Sequence, residues 1–159
     1  MGVCGCGKSS VGKGLAEYLG CDMIEGDAHH PPANRAKMTA GTPLTDDDRW
    51  PWLDRIAGEM QARHGAGRSA VVACSALKVA YRDRLRASGT DPVFVHLSGD
   101  AQMIRARMAA RVGHFMPPGL LDSQLATLEP AAEGETLHVV DIAPPGEAVM
   151  QQVIADLGL

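Results

Sequence analysis

Gly2-Val3-Cys4-Gly5-Cys6-Gly7-Lys8-Ser9 opens the chain and meets the pattern G-x-x-x-x-G-K-[ST] at every position. Wrapping a phosphate in backbone requires successive N–H groups to point inward, which demands glycine where a side chain would clash or φ is positive. The helical pattern that begins at Lys8 then turns its N-terminal dipole toward the same anion. In such a loop Lys8 reaches the β- and γ-phosphates and the Ser9 hydroxyl is a Mg²⁺ ligand. Gly2, Val3, Cys4, Gly5, Cys6, Gly7, Lys8, Ser9 and Ser10 therefore form the candidate nucleotide-binding segment. A loop of this kind follows a buried strand, yet only Met1 precedes Gly2. The expectation is a central strand that is missing or cut to a short stub, with further residues upstream of Met1. A lost central strand would leave the backbone of its two neighbours unpaired.

Downstream, short apolar runs alternate with helix-like stretches, the pattern of an α/β protein with a mostly parallel sheet. Cys21–Glu25, Ser69–Cys74, Val93–Leu97 and Thr136–Val140 are the candidate strands. Val11, Leu15 and Leu19 recur every fourth residue; Trp50, Leu53, Ala57 and Met60 recur at three and four, as do Val149, Val153 and Leu157. These positions are read as core. Thr45 with Asp48 resembles a capping box that starts the second helix, and Pro145 suits the first turn of the last. Two irregular stretches interrupt the alternation. One, about 28–64, holds a short helix from Ala33 to Ala40 and suits an acceptor clamp; the other, about 107–120, suits a lid. No repeat or long linker divides the 159 residues, so one domain spanning 1–159 is expected.

Fifteen Lys and Arg against nineteen Asp and Glu give a net charge of −4, which argues against nucleic acid or an anionic membrane as the main partner. No apolar run approaches the roughly 20 residues of a membrane span. The glycine-rich start does not resemble a signal peptide, so a cytoplasmic protein is expected. Cys4, Cys6, Cys21 and Cys74 are too few and too irregular for a disulfide framework, and no second pair completes a zinc site.

A guanine-specifying N-K-x-D is absent from the sequence. Asp27, Asp100 and Asp141 each end a strand-like run and compete for the Mg²⁺ shell. Asp27 is favoured, because it follows the strand that comes directly after the first helix, and such strand ends face the ligand crevice. Asp100 suits a helix cap before Ala101, and Asp141 a structural or capping role.

Several further motifs accompany the loop: Glu25-Gly26-Asp27 leading to His30-Pro31, Asn34, Lys37-Met38, and Gly41-Thr42-Pro43-Leu44. Asp46-Asp47-Asp48-Arg49 with Pro51-Trp52-Leu53 follows, then Cys74-Ser75-Ala76-Leu77-Lys78 with Tyr81-Arg82-Asp83. Arg107 to Arg111 with Gly113-His114-Phe115, Ser123-Gln124-Leu125 and Leu128-Glu129-Pro130 complete the set. In this combination the chain resembles the gluconate kinases over nearly its whole length. The resemblance implies a three-layer α/β/α P-loop fold like that of shikimate kinase, with strand order 2-3-1-4-5. It also implies transfer of phosphate from ATP to O6 of D-gluconate with Mg²⁺, and an enzyme that in several members is a homodimer. A kinase for another small hydroxy acid such as shikimate, or a weakly catalytic nucleotide-binding module, is the competing reading. The chain departs from the family's pattern at Cys4 and Cys6, where Ser is usual; a helix N-terminus could acidify these thiols, or they could be inert.

Phosphoryl transfer to a hydroxyl needs charge neutralisation, in-line positioning and a proton acceptor. Lys8 supplies the first, and Asp27 is the candidate for orienting the acceptor hydroxyl, taking its proton and touching the Mg²⁺ shell. His30 is a candidate partner for an acceptor hydroxyl. Arg49, Lys78 and Arg82 are candidate cations for the acceptor carboxylate, and spacing does not separate them. Arg107 and Arg111 lie four apart on one helix face; Arg111 is the candidate lid arginine and Arg107 a phosphate or adenine contact.

Overall fold

The computed structural model describes residues 1–110 and 119–159. The glycine loop runs into α1 (Lys8–Leu19), which Gly20 ends in the left-handed conformation, and the chain turns directly into β1 (Asp22–Glu25). A 3-10 turn (Gly26–His29), α2 (Pro32–Thr39) and the long α3 (Asp46–Gly65) fill the stretch expected to hold the acceptor. The second half alternates β2 (Ala70–Ala73), α4 (Val79–Arg86), β3 (Phe94–Ser98) and α5 (Ala101–Ala109). It closes with α6 (Gly119–Thr127), β4 (Leu137–Asp141) and α7 (Gly146–Leu157).

Local chemistry sets several boundaries. Thr45 and Asp48 form the reciprocal capping box: the Thr45 hydroxyl accepts from the Asp48 N–H at 3.2 Å, and the Asp48 carboxylate accepts from the Thr45 N–H at 2.9 Å. Asp100 caps α5 by accepting from the Gln102 and Met103 N–H groups. Asp141 accepts from the Ala143 N–H and tightens the turn after β4. Pro145 stands one residue earlier than its expected place, at the N-cap of α7.

Among the described residues the strand pairing is parallel. β1 lies beside β2 with Asp22 opposite Ala70, and β3 beside β4 with Phe94 opposite Leu137. Among the described residues these are two parallel pairs, the neighbours that the expected order 2-3-1-4-5 gives to its second and third and to its fourth and fifth strands. Met1 occupies the place expected for the first strand. Its ammonium donates to the Val95 carbonyl and its carbonyl accepts from the Leu97 N–H, which is parallel pairing against β3. Gly2 donates across to the Ser75 carbonyl at 3.1 Å, just past β2. The loop then leaves the extended path. Beside Met1 the gap between β2 and β3 holds a cavity of about 470 Å³, lined by Val71, Ala73, Val95 and Leu15. Leu19 also borders this cavity, and at 41% exposed it is not the core residue its periodicity suggested. It is the last residue of α1, where the helix overhangs the gap.

The core has two parts. Val3, Leu15, Leu97, Ile104, Val140 and Val153 pack between α1, α5, α7 and the β3–β4 pair. Ile24, Trp52, Leu53, Ile56, Tyr81 and Phe94 pack α3 and α4 onto the other side. Full burial of each large apolar side chain is worth about 1.5–3 kcal/mol before conformational entropy. Both parts serve to hold the glycine loop, the end of β1 and the start of α3 against one another.

Candidate active site

Gly7 is the N-cap of α1 and adopts φ 99°, a conformation open to glycine and strained for other residues. A side chain there would meet no atom within 4 Å, so the space over the loop is open. Gly5 serves packing instead: a Cβ would come within 2.6 Å of the Met108 side chain. Among the described residues no side chain caps the first turn of α1, and that turn contains no acidic residue. Its N–H groups and dipole therefore face the cavity uncompensated, as an anion site requires. Lys8 curls back so that its ammonium donates to the Val3 carbonyl at 2.9 Å. The Cys4 N–H donates to Oε1 of Gln124, on α6, at 2.6 Å.

Across from the loop, the end of β1 delivers Asp27 on the 3-10 turn. Lys8, Ser9, Asp27, His30, Arg49 and Gln124 all line one cavity. His30 is buried and stacked on Trp52, with ring centroids 4.2 Å apart and planes at 14°. Trp52 is in turn fixed by donating from its indole N–H to the Gly26 carbonyl at 2.7 Å. Burial, aided by the positive charges of Arg49 and Arg35, lowers the His30 pKa to about 4, against the opposing pull of Asp27. The ring is therefore neutral at physiological pH.

Arg49 is 7% exposed, and its guanidinium lies 5.5 Å from the centre of the Tyr81 ring. One terminal nitrogen donates to the Leu44 carbonyl at 3.3 Å, while Nε is buried and has no hydrogen-bond partner among the described residues. A buried cation with an unsatisfied donor, bordering the cavity, is suited to hold an anionic group.

The other two candidate cations are engaged elsewhere. Arg82 is fully buried and binds both oxygens of Glu135 at 2.6 and 2.7 Å, with further bonds to the carbonyls of Ala76, Leu77, Glu129 and Pro130. Its donors are spent tying α4 to the segment before β4. Lys78 binds both oxygens of Asp46 at 2.8 Å, and the Tyr81 hydroxyl donates to the same carboxylate. Neither residue lines the cavity. Arg107 donates to the Ile142 carbonyl at 2.8 Å, beyond the end of β4. Arg111, with the Gly113-His114-Phe115 part of the expected lid, lies outside the described residues.

Cys4 and Cys6 are buried, and Cys4 contacts the Met108 sulfur at 3.5 Å. Desolvation raises the Cys4 pKa more than Lys8 lowers it. Acidification by the helix terminus does not prevail there. The residues alone gave no role to Gln124, which lines the cavity, whereas Trp52 packs in the core and reaches the site only through its stack on His30. Only the place of Gln124 within a larger motif hinted at this.

Among the described residues no three His, Cys, Asp or Glu side chains converge as a metal cluster. The Ser9 hydroxyl and the Asp27 carboxylate are among the oxygen donors that line the cavity. A sparse all-oxygen set of this kind fits Mg²⁺, which keeps much of its coordination for water and phosphate.

A phosphate loop on one wall, with a carboxylate, a neutral imidazole and a buried cation on the other, defines a P-loop small-molecule kinase. No protein-family model matches the chain. It is, however, 45% identical over 154 residues to a gluconokinase of Gluconobacter oxydans, covering 97% of this chain and 86% of that one. Among solved structures, a gluconokinase from Sinorhizobium meliloti superposes with a TM-score of 0.89 at 48% identity, covering 99% of this chain and 89% of that one. An unliganded sugar kinase from Janibacter superposes with a TM-score of 0.94 at 47% identity, covering 99% and 91%. The chain belongs to the gluconokinase family.

Proposed function

We propose that this protein transfers the γ-phosphoryl group of ATP to the O6 hydroxyl of D-gluconate. The observation that carries the proposal is the meeting of Lys8, Asp27, His30 and Arg49 around one cavity. Each supplies one requirement of the reaction. The N–H groups of the glycine loop and of the first turn of α1 hold the phosphates, and Lys8 swings from Val3 to the transferring group. Asp27 orients the acceptor hydroxyl and accepts its proton as the new O6–P bond forms and the bond from Pγ to the leaving oxygen of ADP breaks. His30 binds an acceptor hydroxyl. Arg49 grips the carboxylate at the far end, which places O6 toward the loop.

Ser9 and Asp27 are the residues that would hold Mg²⁺. When bound, the ion neutralises charge on the phosphate oxygens. Arg111 is retained as the lid arginine on sequence grounds.

Coupled ADP release with a panel of small acids tests the proposal. Turnover dependent on both D-gluconate and ATP is expected. Turnover with shikimate and none with gluconate would overturn it, as would ATP binding without any acceptor-dependent ADP. No helix among the described residues is long and apolar enough to cross a membrane.

A further inference from the structure

His30 reaches the cavity through a short chain of hydrogen bonds with a fixed direction. Asn34, on the first turns of α2, is 4% exposed. Its amide Nδ2 donates to the Asp48 backbone carbonyl at 2.7 Å. A carbonyl only accepts, so this bond fixes which end of the Asn34 side chain is the NH₂ group. The same Nδ2 lies 3.4 Å from Nδ1 of His30. An NH₂ group already oriented as a donor has only a hydrogen to offer, so Nδ1 must present its lone pair. In a neutral imidazole the proton then resides on Nε2.

The ring has little freedom to escape this arrangement. Trp52 covers one face, and the indole is itself pinned to the Gly26 carbonyl. The His30 backbone N–H donates to the Asp27 carbonyl at 3.5 Å, so the residue is also tied to the turn carrying the carboxylate. Among the described residues Nε2 makes no hydrogen bond, and His30 borders the cavity shared with Asp27 and Arg49.

We propose that Asn34 is a positioning residue that holds His30 in the Nε2–H tautomer, so that the ring offers a hydrogen-bond donor to one acceptor hydroxyl oxygen. The inference rests on the acceptor site proposed above. It adds a criterion of specificity: the matched position of the acceptor must carry an oxygen able to accept. A fixed donor also cannot compete with Asp27 for the hydroxyl proton. Proton acceptance is left to the carboxylate, and His30 selects and orients. An acceptor lacking an oxygen at that position would leave a buried N–H unpaired, which is the strongest form of rejection a polar site has.

The test has a spectroscopic arm and a kinetic arm. In ¹⁵N-labelled free protein at neutral pH, His30 should show a protonated, pyrrole-like Nε2 and an unprotonated, pyridine-like Nδ1. A protonated Nδ1, or fast averaging between tautomers, overturns the inference, and this arm needs neither substrate nor variant. Asn34→Asp replaces the donor with an acceptor and should move the proton to Nδ1. It should raise KM for the acceptor about tenfold and change KM for ATP less than twofold. His30→Gln, whose amide NH₂ approximates an Nε2 donor, should retain more acceptor affinity than His30→Asn. An unchanged acceptor KM in Asn34→Asp together with an unmoved tautomer removes Asn34 from the mechanism. An Nε2–H ring in a protein that turns over no gluconate refutes the proposed activity and leaves the tautomer assignment standing.

Discussion

Replacing Arg49 with methionine separates what this residue does for the acceptor from what it does for the fold. The long unbranched side chain fills most of the volume of the arginine stem, so packing beside Tyr81 is largely kept. On the stability side three changes compete. The bond to the Leu44 carbonyl is lost, but at 3.3 Å it is a weak one worth about 0.5–1 kcal/mol. The contact over Tyr81 is lost, a further 0.5–1 kcal/mol or so. Against these, an unpaired buried donor disappears, and leaving such a group unsatisfied costs about 1–3 kcal/mol. The sum runs from about 1 kcal/mol of destabilisation to about 2 kcal/mol of stabilisation, a Tm change between a fall of roughly 4 °C and a rise of roughly 8 °C. On the acceptor side nothing compensates. A charge-assisted bond to a carboxylate is worth about 1.5–3 kcal/mol, so KM for gluconate should rise about 10- to 150-fold. Steady-state ADP release with gluconate, and with glucose as an uncharged acceptor bearing the same terminal hydroxyl, reads the effect. The variant should lose the preference for the acid over the neutral sugar. An unchanged gluconate KM would refute the carboxylate assignment. A Tm fall of more than about 6 °C would refute the account of the unpaired Nε.

Four further outcomes are expected. Lys8→Ala should abolish measurable turnover while the Tm without nucleotide stays within a few degrees, since among the described residues its ammonium bonds only to the Val3 carbonyl; retained turnover would count against it. Asp27→Asn should lower kcat by about 10²- to 10⁴-fold with ATP affinity changed less than threefold, and a near-normal kcat would remove Asp27 as the proton acceptor. Gly7→Ala forces φ 99° on a residue with a Cβ and should cost about 1–2 kcal/mol, with a parallel loss of ATP-dependent thermal stabilisation. With a folded pKa of about 4 against an ordinary 6.5, His30 binds fewer protons folded than unfolded between those values. Its contribution to stability is therefore complete above pH 6.5 and lost as the pH falls to 4, so the wild type should lose on the order of 2–3 kcal/mol more than His30→Gln across that window. Chemical denaturation of both proteins at several pH values measures this, and parallel curves would refute it.

Much of the site was legible in the residues. The glycine loop needs no partner to be recognised, because glycine spacing and the lysine encode the geometry locally. The strands, the capping box of α3 and the Asp100 cap were likewise readable, since each depends on neighbours within a few positions. Asp27 emerged from chain order alone. The acceptor cation did not: Arg49, Lys78 and Arg82 look equivalent by spacing. Only the placement of Glu135 against Arg82, and of Asp46 against Lys78, shows two of the three engaged.

Local patterns in the residues establish the kind of protein this is: a phosphate loop, an α/β alternation, a motif set resembling the gluconate kinases, and an acid at the end of β1. These follow from contacts short enough in sequence for local pattern to encode them. Long-range packing settles which charges remain available for an acceptor, that burial raises the Cys4 pKa, that His30 stays neutral between Trp52 and Asn34, and that Met1 pairs along β3 while Gly2 reaches the residue just past Cys74 after β2. Each of these depends on burial and on partners 14 to more than 90 residues away, and a desolvated group takes its chemistry from whatever folds around it.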